Sequence, residues 1–224
     1  VTIEVSLDVM LKGIDLVADT AFLTLRGKMG FGDNLLGIKR LDSYAFQFDT
    51  GNPPVSLARL KRLLNTQTLF YNRNKHHFTL VCDWEGGGLE EGVPRDHPRR
   101  QLTRQVLRTT GWTSAENFHG NVDKNRVIFK DVPVFRTEVL VEDLDPAVKL
   151  ELARKLESEL SAAPVAVTAL GTRWLLALAV ASPDEATELT HAIVVTKRRD
   201  QGFLLNPNYQ GFRFLAAGMM ELEL

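Results

Sequence analysis

The chain is expected to be an α+β protein built from two copies of one β-α-β-β-α-β unit. Three observations lead there. The first is an internal repeat. Leu69-Phe-Tyr-Asn72-Arg-Asn74-Lys-His-His-Phe78-Thr-Leu80 lies over Phe203-Leu-Leu-Asn206-Pro-Asn208-Tyr-Gln-Gly-Phe212-Arg-Phe214, so Asn72, Asn74 and Phe78 recur 134 residues later. The same offset carries Glu4-Val5 onto Glu138-Val139, and two separate segments sharing one offset mark a duplication. The second is that apolar spacing switches between strand-like and helix-like periods in the same order in residues 1–84 and 135–217. The third is composition: 224 residues, 44% hydrophobic and 25% charged. That is a globular makeup, too apolar for a disordered chain, and long enough for one large or two small domains.

In the first copy, Ile3, Val5 and Leu7 alternate with polar residues as in a half-buried strand. Ile14, Ala18, Ala21, Phe22, Leu25 and Met29 follow at helical spacing, and Gly30-Phe-Gly-Asp-Asn34 stops that helix. Leu35–Leu41 and Tyr44–Phe48 read as a strand pair with a turn at Asp42-Ser43. Ser56 is placed to cap a second helix bearing Leu57, Leu60, Leu63 and Leu64, and Phe78, Leu80 and Cys82 close the unit as a strand. In the second copy, Asp145-Pro146 starts a helix whose Val148, Leu152, Leu156 and Leu160 form one stripe. Val165–Ala169 and Trp174–Val180 read as the matching hairpin. Ser182-Pro183-Asp184-Glu185 has capping-box spacing, and Phe212 and Phe214 lie in the last strand.

This order is the ferredoxin-like pattern, with two helices on one face of an antiparallel sheet. Tyr44, Phe46, Phe48, Trp174, Leu176 and Leu178 give the hairpins a second apolar face, so the two sheets are expected to cover each other as an internal pseudo-dimer. The domain plan is 1–84, a linker at 85–134, and 135–224. Within the linker, Glu85–Pro94 reads as flexible and acidic, Pro98–Thr110 as a short helix, and Val127-Ile-Phe129 as an extra strand.

Formal net charge is −1, so no global field draws in nucleic acid or an anionic membrane. The single cysteine, Cys82, has no partner for an internal disulfide, which fits a reducing, cytoplasmic compartment. No apolar run nears the roughly 20 residues that span a bilayer. The alternating Val1-Thr-Ile-Glu-Val lacks the basic start of a signal peptide.

Chemistry-bearing residues are sparse. His76-His77 would point to opposite faces of a strand, and His97 and His119, with Asp96, Glu116 and Asp123 nearby, lack metal-ligand spacing. Cys82 reads as a small buried hydrophobe. Gly30-Phe-Gly32 and Gly86-Gly-Gly88 have neither phosphate-loop form and read as turns. No catalytic residue, metal site or cofactor is called for. Lys197-Arg198-Arg199 suits a helix C-terminus. The best candidates for contacting a phosphate or a partner are Arg95, Arg99, Arg100, Arg104 and Arg108, since guanidinium forks match carboxylate and phosphate. The plainer reading of the same five is a solvated helix face beside Trp112 and Phe118.

Three passages resemble PurS, the small subunit of phosphoribosylformylglycinamidine synthase. They are Ile3–Leu7 with Met10-Leu-Lys-Gly-Ile14-Asp15; Met29-Gly30-Phe31 with Leu36–Arg40 and Tyr44–Phe48; and Leu64-Asn65 with Leu69–Asn72. In the second copy the likeness lies in Asp145-Pro146, Trp174–Leu178 and Leu204-Leu-Asn206-Pro207. The resemblance implies a fused PurS-like dimer without chemistry of its own. Such a dimer bridges the synthetase and glutaminase components that make formylglycinamidine ribonucleotide from formylglycinamide ribonucleotide, ATP and glutamine. Two other classes share the duplication: a tandem ferredoxin-like RNA-binding or RNA-processing protein, and an ACT-like sensor of small molecules. Against the RNA class stand the net charge and the absence of a glycine-rich C-terminal loop.

Overall fold

The computed structural model describes residues 1–92, 97–111, 126–162, 164–195 and 202–221. The described residues are α+β, with eight strands and five helices: β1 Thr2–Leu11, α1 Leu16–Lys28, β2 Leu35–Asp49, α2 Pro53–Thr66, β3 His76–Trp84, β4 Gly87–Gly92, α3 Pro98–Thr110, β5 Ile128–Phe129, β6 Val132–Asp143, α4 Pro146–Leu160, β7 Val165–Ala179, α5 Pro183–Val194 and β8 Gln210–Met219. The strands form one eight-stranded sheet in the order β4-β3-β1-β2-β7-β6-β5, with β8 also on β6.

Both expected hairpins are absent. β2 and β7 are single strands of 15 residues each, so each copy reads β-α-β-α-β instead of β-α-β-β-α-β. A two-residue hairpin needs positive φ at both central residues of a I′ turn, which Gly supplies at the second. Asp42-Ser43 has serine there. Both residues stay in the ladder opposite Val9 and Asp8, and the Ser43 hydroxyl donates to Asp8 Oδ1 at 2.7 Å. Phe46, Phe48 and Trp174 are buried as expected and Tyr44 is half-buried, but they lie in cores that also contain helices. The covering of one sheet by another is not what buries them.

The compact units do not coincide with the sequence copies. Unit 1 is Val1–Gly13, Leu41–Pro94 and Glu142–Thr172; unit 2 is Ile14–Arg40, Arg95–Val141 and Arg173–Leu224. β2 and β7 therefore change units in mid-strand.

In unit 1, β1 pairs antiparallel with the second part of β2, from Thr2 opposite Asp49 to Val9 opposite Asp42, and with β3 from Ile3 opposite Trp84 to Leu11 opposite His76. Ile3, Val5, Leu7 and Val9 of β1 join Phe46, Phe48, Leu80 and Cys82 beneath α2 and α4, which contribute Leu57, Leu60, Leu63, Leu64, Leu152, Leu156 and Leu160. α2 starts earlier than expected. Asn52 caps it, accepting from Val55 N at 3.3 Å, while Ser56 sits one turn in and pairs with the Thr50 hydroxyl. Asp145 caps α4 through Ala147 N at 2.9 Å. Arg59 donates to the Leu160 carbonyl at the far end of α4, a cation at the negative helix terminus. β4 follows β3 through Glu85-Gly86, where Gly86 has φ 90, and the Trp84 ring lies over Gly87 where a Cβ would be only 2.5 Å away. The expected flexible acidic stretch is thus partly a strand.

In unit 2, α1 and α5 supply Ala18, Ala21, Leu25, Ala186, Ile193 and Val194 to a core with Phe135, Val139, Val141, Trp174, Leu176 and Leu178. Asp15 caps α1, accepting from Val17 and Ala18 amides, and its other oxygen holds Arg40 at 3.1 Å. The α5 box forms as spaced: Ser182 Oγ accepts from Glu185 N, and the Glu185 carboxylate reaches back to the Ala181 amide. Thr137 and Thr190 satisfy each other inside this core at 2.7 Å.

The repeat is visible in hydrogen bonds. In unit 1 the Asn72 side chain accepts from Asn74 N, its carbonyl from Lys75 and His76 amides, and its amide donates to His76 Nδ1. In unit 2 the Asn206 side chain accepts from Asn208 N, its carbonyl from Tyr209 and Gln210 amides, and its amide donates to Gln210 Oε1. One turn, built by Asn in the same way, launches β3 and β8.

Candidate functional site

The arginine-rich segment forms the helix expected, α3, from Pro98 to Thr110. His97 Nδ1 accepts from Arg99 N at 3.3 Å, Pro98 takes the first helical position, and Gly111 with φ 75 ends the helix. Leu102 and Val106, one turn apart, are fully buried. They meet β2 at Gly37, where a Cβ would sit 3.0 Å from Leu102 Cδ1 and 3.4 Å from Val106 Cγ2. Glycine is what lets the helix approach. Gln105 Oε1 then accepts from Ile38 N at 3.0 Å, so a side chain of the helix satisfies a strand amide.

Strand alternation defines the face α3 lies on. Phe135, Val139 and Val141 of β6 point into the core with α1 and α5, which sends Arg136, Glu138 and Leu140 to the other face. There Glu138, 1% exposed, meets three guanidiniums: it accepts a hydrogen bond from Arg173 Nη2, with Arg136 Nε at 3.3 Å and Arg99 Nε at 3.4 Å. A carboxylate taken out of water is tolerated only when compensated in this way. Burial pushes its pKa up. The Arg173 charge and hydrogen bond, with Arg99 and Arg136, outweigh that and hold it below the ordinary glutamate range. Glu138 is therefore a fixed anion at neutral pH and has no proton to give.

The five candidate arginines consequently part company. Arg99 is tied to Glu138 although 40% of its side chain remains exposed, so it does not belong to a purely solvated face. Arg100 is half-buried, Arg104 and Arg108 are exposed, and Arg95 lies outside the described residues. Close to α3, burial lowers the Lys39 pKa; Asp19 and Asp15 oppose this and Arg108 adds to it. Residue type alone does not single out Glu138, Arg136 and Arg173 as a cluster. The available signal was the Arg136-x-Glu138 spacing, which puts two opposite charges on one face of an otherwise apolar strand.

On the corresponding face of unit 1, Thr2, Glu4, Ser6 and Asp83 are exposed, while Met10 and Ser43 at its other end are buried. Glu4, the repeat partner of Glu138, is exposed. It lines a groove of about 350 Å³ with Ser6, Gln47, Val81, Asp83 and Thr168.

The remaining candidates carry little chemistry. Cys82 is fully buried, and burial, helped by Asp83, pushes its thiol up to about 11, so it is no thiolate at neutral pH. His76 accepts from Asn72 N. It borders a hollow of about 280 Å³ with Lys12, Tyr71, Arg73, His77 and Glu91, where Lys12 Nζ donates to the Arg73 carbonyl. Another hollow, about 590 Å³, runs between the end of α2 and α4 past Gln67, Leu69, Lys155 and Glu159. No group of three or more His, Cys, Asp or Glu able to hold a metal occurs among the described residues, and no described helix is long and apolar enough to cross a membrane. Asp96, Trp112, Glu116, Phe118, His119, Asp123 and Lys197-Arg198-Arg199 lie outside the described residues. Comparison of the chain with protein-family models, curated proteins and solved structures finds no match.

Proposed function

We propose that the chain is a non-catalytic, PurS-like assembly component of a glutamine-dependent phosphoribosylformylglycinamidine synthase, acting by bridging synthetase and glutaminase components. The observation that carries this reading is the duplication. Asn72 and Asn206 build the same turn in both copies, and both turns lie within passages that resemble PurS. A tandem chain that supplies two related units offers two related surfaces for two partners. The described ionisable groups also favour binding over chemistry: the buried thiol is protonated and the buried carboxylate is locked to arginines.

The test is reconstitution. Tagged chain mixed with purified synthetase and glutaminase components should co-elute with both and should be required for glutamine-dependent formation of the amidine product. The chain alone should show no turnover with formylglycinamide ribonucleotide, ATP and glutamine. Turnover by the chain alone, or a fully active complex that excludes it, overturns the reading.

A further inference from the structure

We propose that the exposed part of the unit 1 sheet face, around Glu4, Ser6 and Asp83, is a docking site for a basic amphipathic helix of a partner protein. This rests on the assembly reading above and names the surface and the chemistry that it uses.

The face is defined by register. Ile3, Val5, Leu7, Phe46, Phe48, Leu80 and Cys82 point into the core, so the alternate residues of the same strands point away from it. Five of those are carboxylates: Glu4 and Asp8 on β1, Asp49 on β2, Asp83 on β3 and Glu90 on β4. Their neighbours on the face are Thr, Ser, Gln, Ala, Val and Gly, with Met10 and His77 at one end and no Lys or Arg among the paired residues. A chain of net charge −1 thus concentrates five formal negative charges on one surface. Glu4 and Asp83 are direct cross-strand partners, an arrangement that is unfavourable between like charges. A cation placed over the pair relieves it.

The other unit shows what kind of cation fits. At the position 134 residues on from Glu4, Glu138 is covered by α3, a helix carrying arginines along its length, and Arg99 reaches down to it. Leu140 occupies the place that Ser6 holds in unit 1, buried rather than exposed. The unit 2 face is apolar enough to need a permanent cover. The unit 1 face is polar enough to stand in water and to bind and release one, as reversible interfaces do. Its groove runs beside Glu4, Gln47 and Asp83, where an arginine of an incoming helix would take the role of Arg99.

A cross-linked helical peptide with the sequence of residues 98–110, fluorescently labelled, serves as the probe against the full chain. Saturable binding is expected, weakened about tenfold by Glu4→Gln with Asp83→Asn and further by added salt. The melting temperature of that double variant should stay near the parent's, showing an intact fold. Absence of saturable binding, or equal binding to the parent and the double variant, overturns the proposal. So does self-association of the chain that the same substitutions abolish, which would assign the face to a second copy. Co-elution with the synthetase and glutaminase components through another surface would leave the assembly reading standing while this one falls.

Discussion

Glu4 and Glu138 stand at equivalent positions in a duplicated chain and live in opposite surroundings. In unit 1 the carboxylate faces water on a sheet that has helices on one side and polar residues on the other. In unit 2 it is 1% exposed, under α3, among three arginines. The copies share a turn, a strand order and a helix order, yet one face has become a second core and the other a charged surface. The difference teaches that α3 is not an ornament on a linker. It covers the unit 2 face on which Leu140 and Glu138 lie, and its arginine content is partly a consequence of the anion beneath it.

That contrast is most severely tested in the apolar contacts of α3. Leu102→Ala should destabilise the protein by about 3 kcal/mol, the usual cost of truncating a fully buried leucine. Denaturant unfolding of the variant measures it, and a cost under about 1 kcal/mol would return α3 to a surface role. Next is the matched pair. Glu138→Gln should cost about 3 kcal/mol, because three arginines lose their common anion, whereas Glu4→Gln should stay within about 0.5 kcal/mol. Equal effects would erase the asymmetry between the units.

Acid sharpens it further. The folded Glu138 carboxyl lies below its ordinary value, so its stabilisation is present above the unfolded carboxylate pKa of about 4.3 and is lost as pH falls through the folded value. As pH falls below about 4.3, the parent should therefore lose stability more steeply than Glu138→Gln. Parallel pH curves would remove Glu138 as the source. The smallest effect is at Gly37, where Ala would press on Leu102 and Val106 at 3.0 and 3.4 Å. A loss of about 1 kcal/mol is expected, and none at all would show that α3 gives way freely.

Much of this architecture is legible locally. Asp145-Pro146, Ser182-Pro183 and Pro98 with Gly111 mark helix ends because capping chemistry is confined to a few neighbouring residues. The Asn72 and Asn206 turns are legible for the same reason. The long strands are not. Asp42-Ser43 is polar enough to suggest a turn, and only the partner strand, where the Asp8 carboxylate takes the buried Ser43 hydroxyl, shows that these residues continue the ladder. The Glu138 cluster draws on β6, β7 and α3, three elements separated in sequence, so residue type alone does not gather it. The pairing of helices from different copies, α2 with α4, is likewise a property of the whole chain. The cue was present in the second apolar face of Trp174, Leu176 and Leu178, but a nearby helix satisfied the need for cover.

Because β2 and β7 each serve both units, the protein has a constraint during its synthesis. Unit 1 needs Glu142–Thr172 and unit 2 needs both Ile14–Arg40 and the segment from Arg173 onward. A nascent chain ending near residue 84 carries β1, β2 and β3 but lacks α4, so Leu57, Leu60 and Phe46 have only part of their eventual surroundings. Neither unit has all of its segments until synthesis has passed Glu142, and the early strands wait for those partners. Long sequence separation between partners slows folding and prolongs that vulnerable interval. Cutting the gene between its two copies would therefore not yield two small proteins; it would yield fragments that become stable only by finding each other.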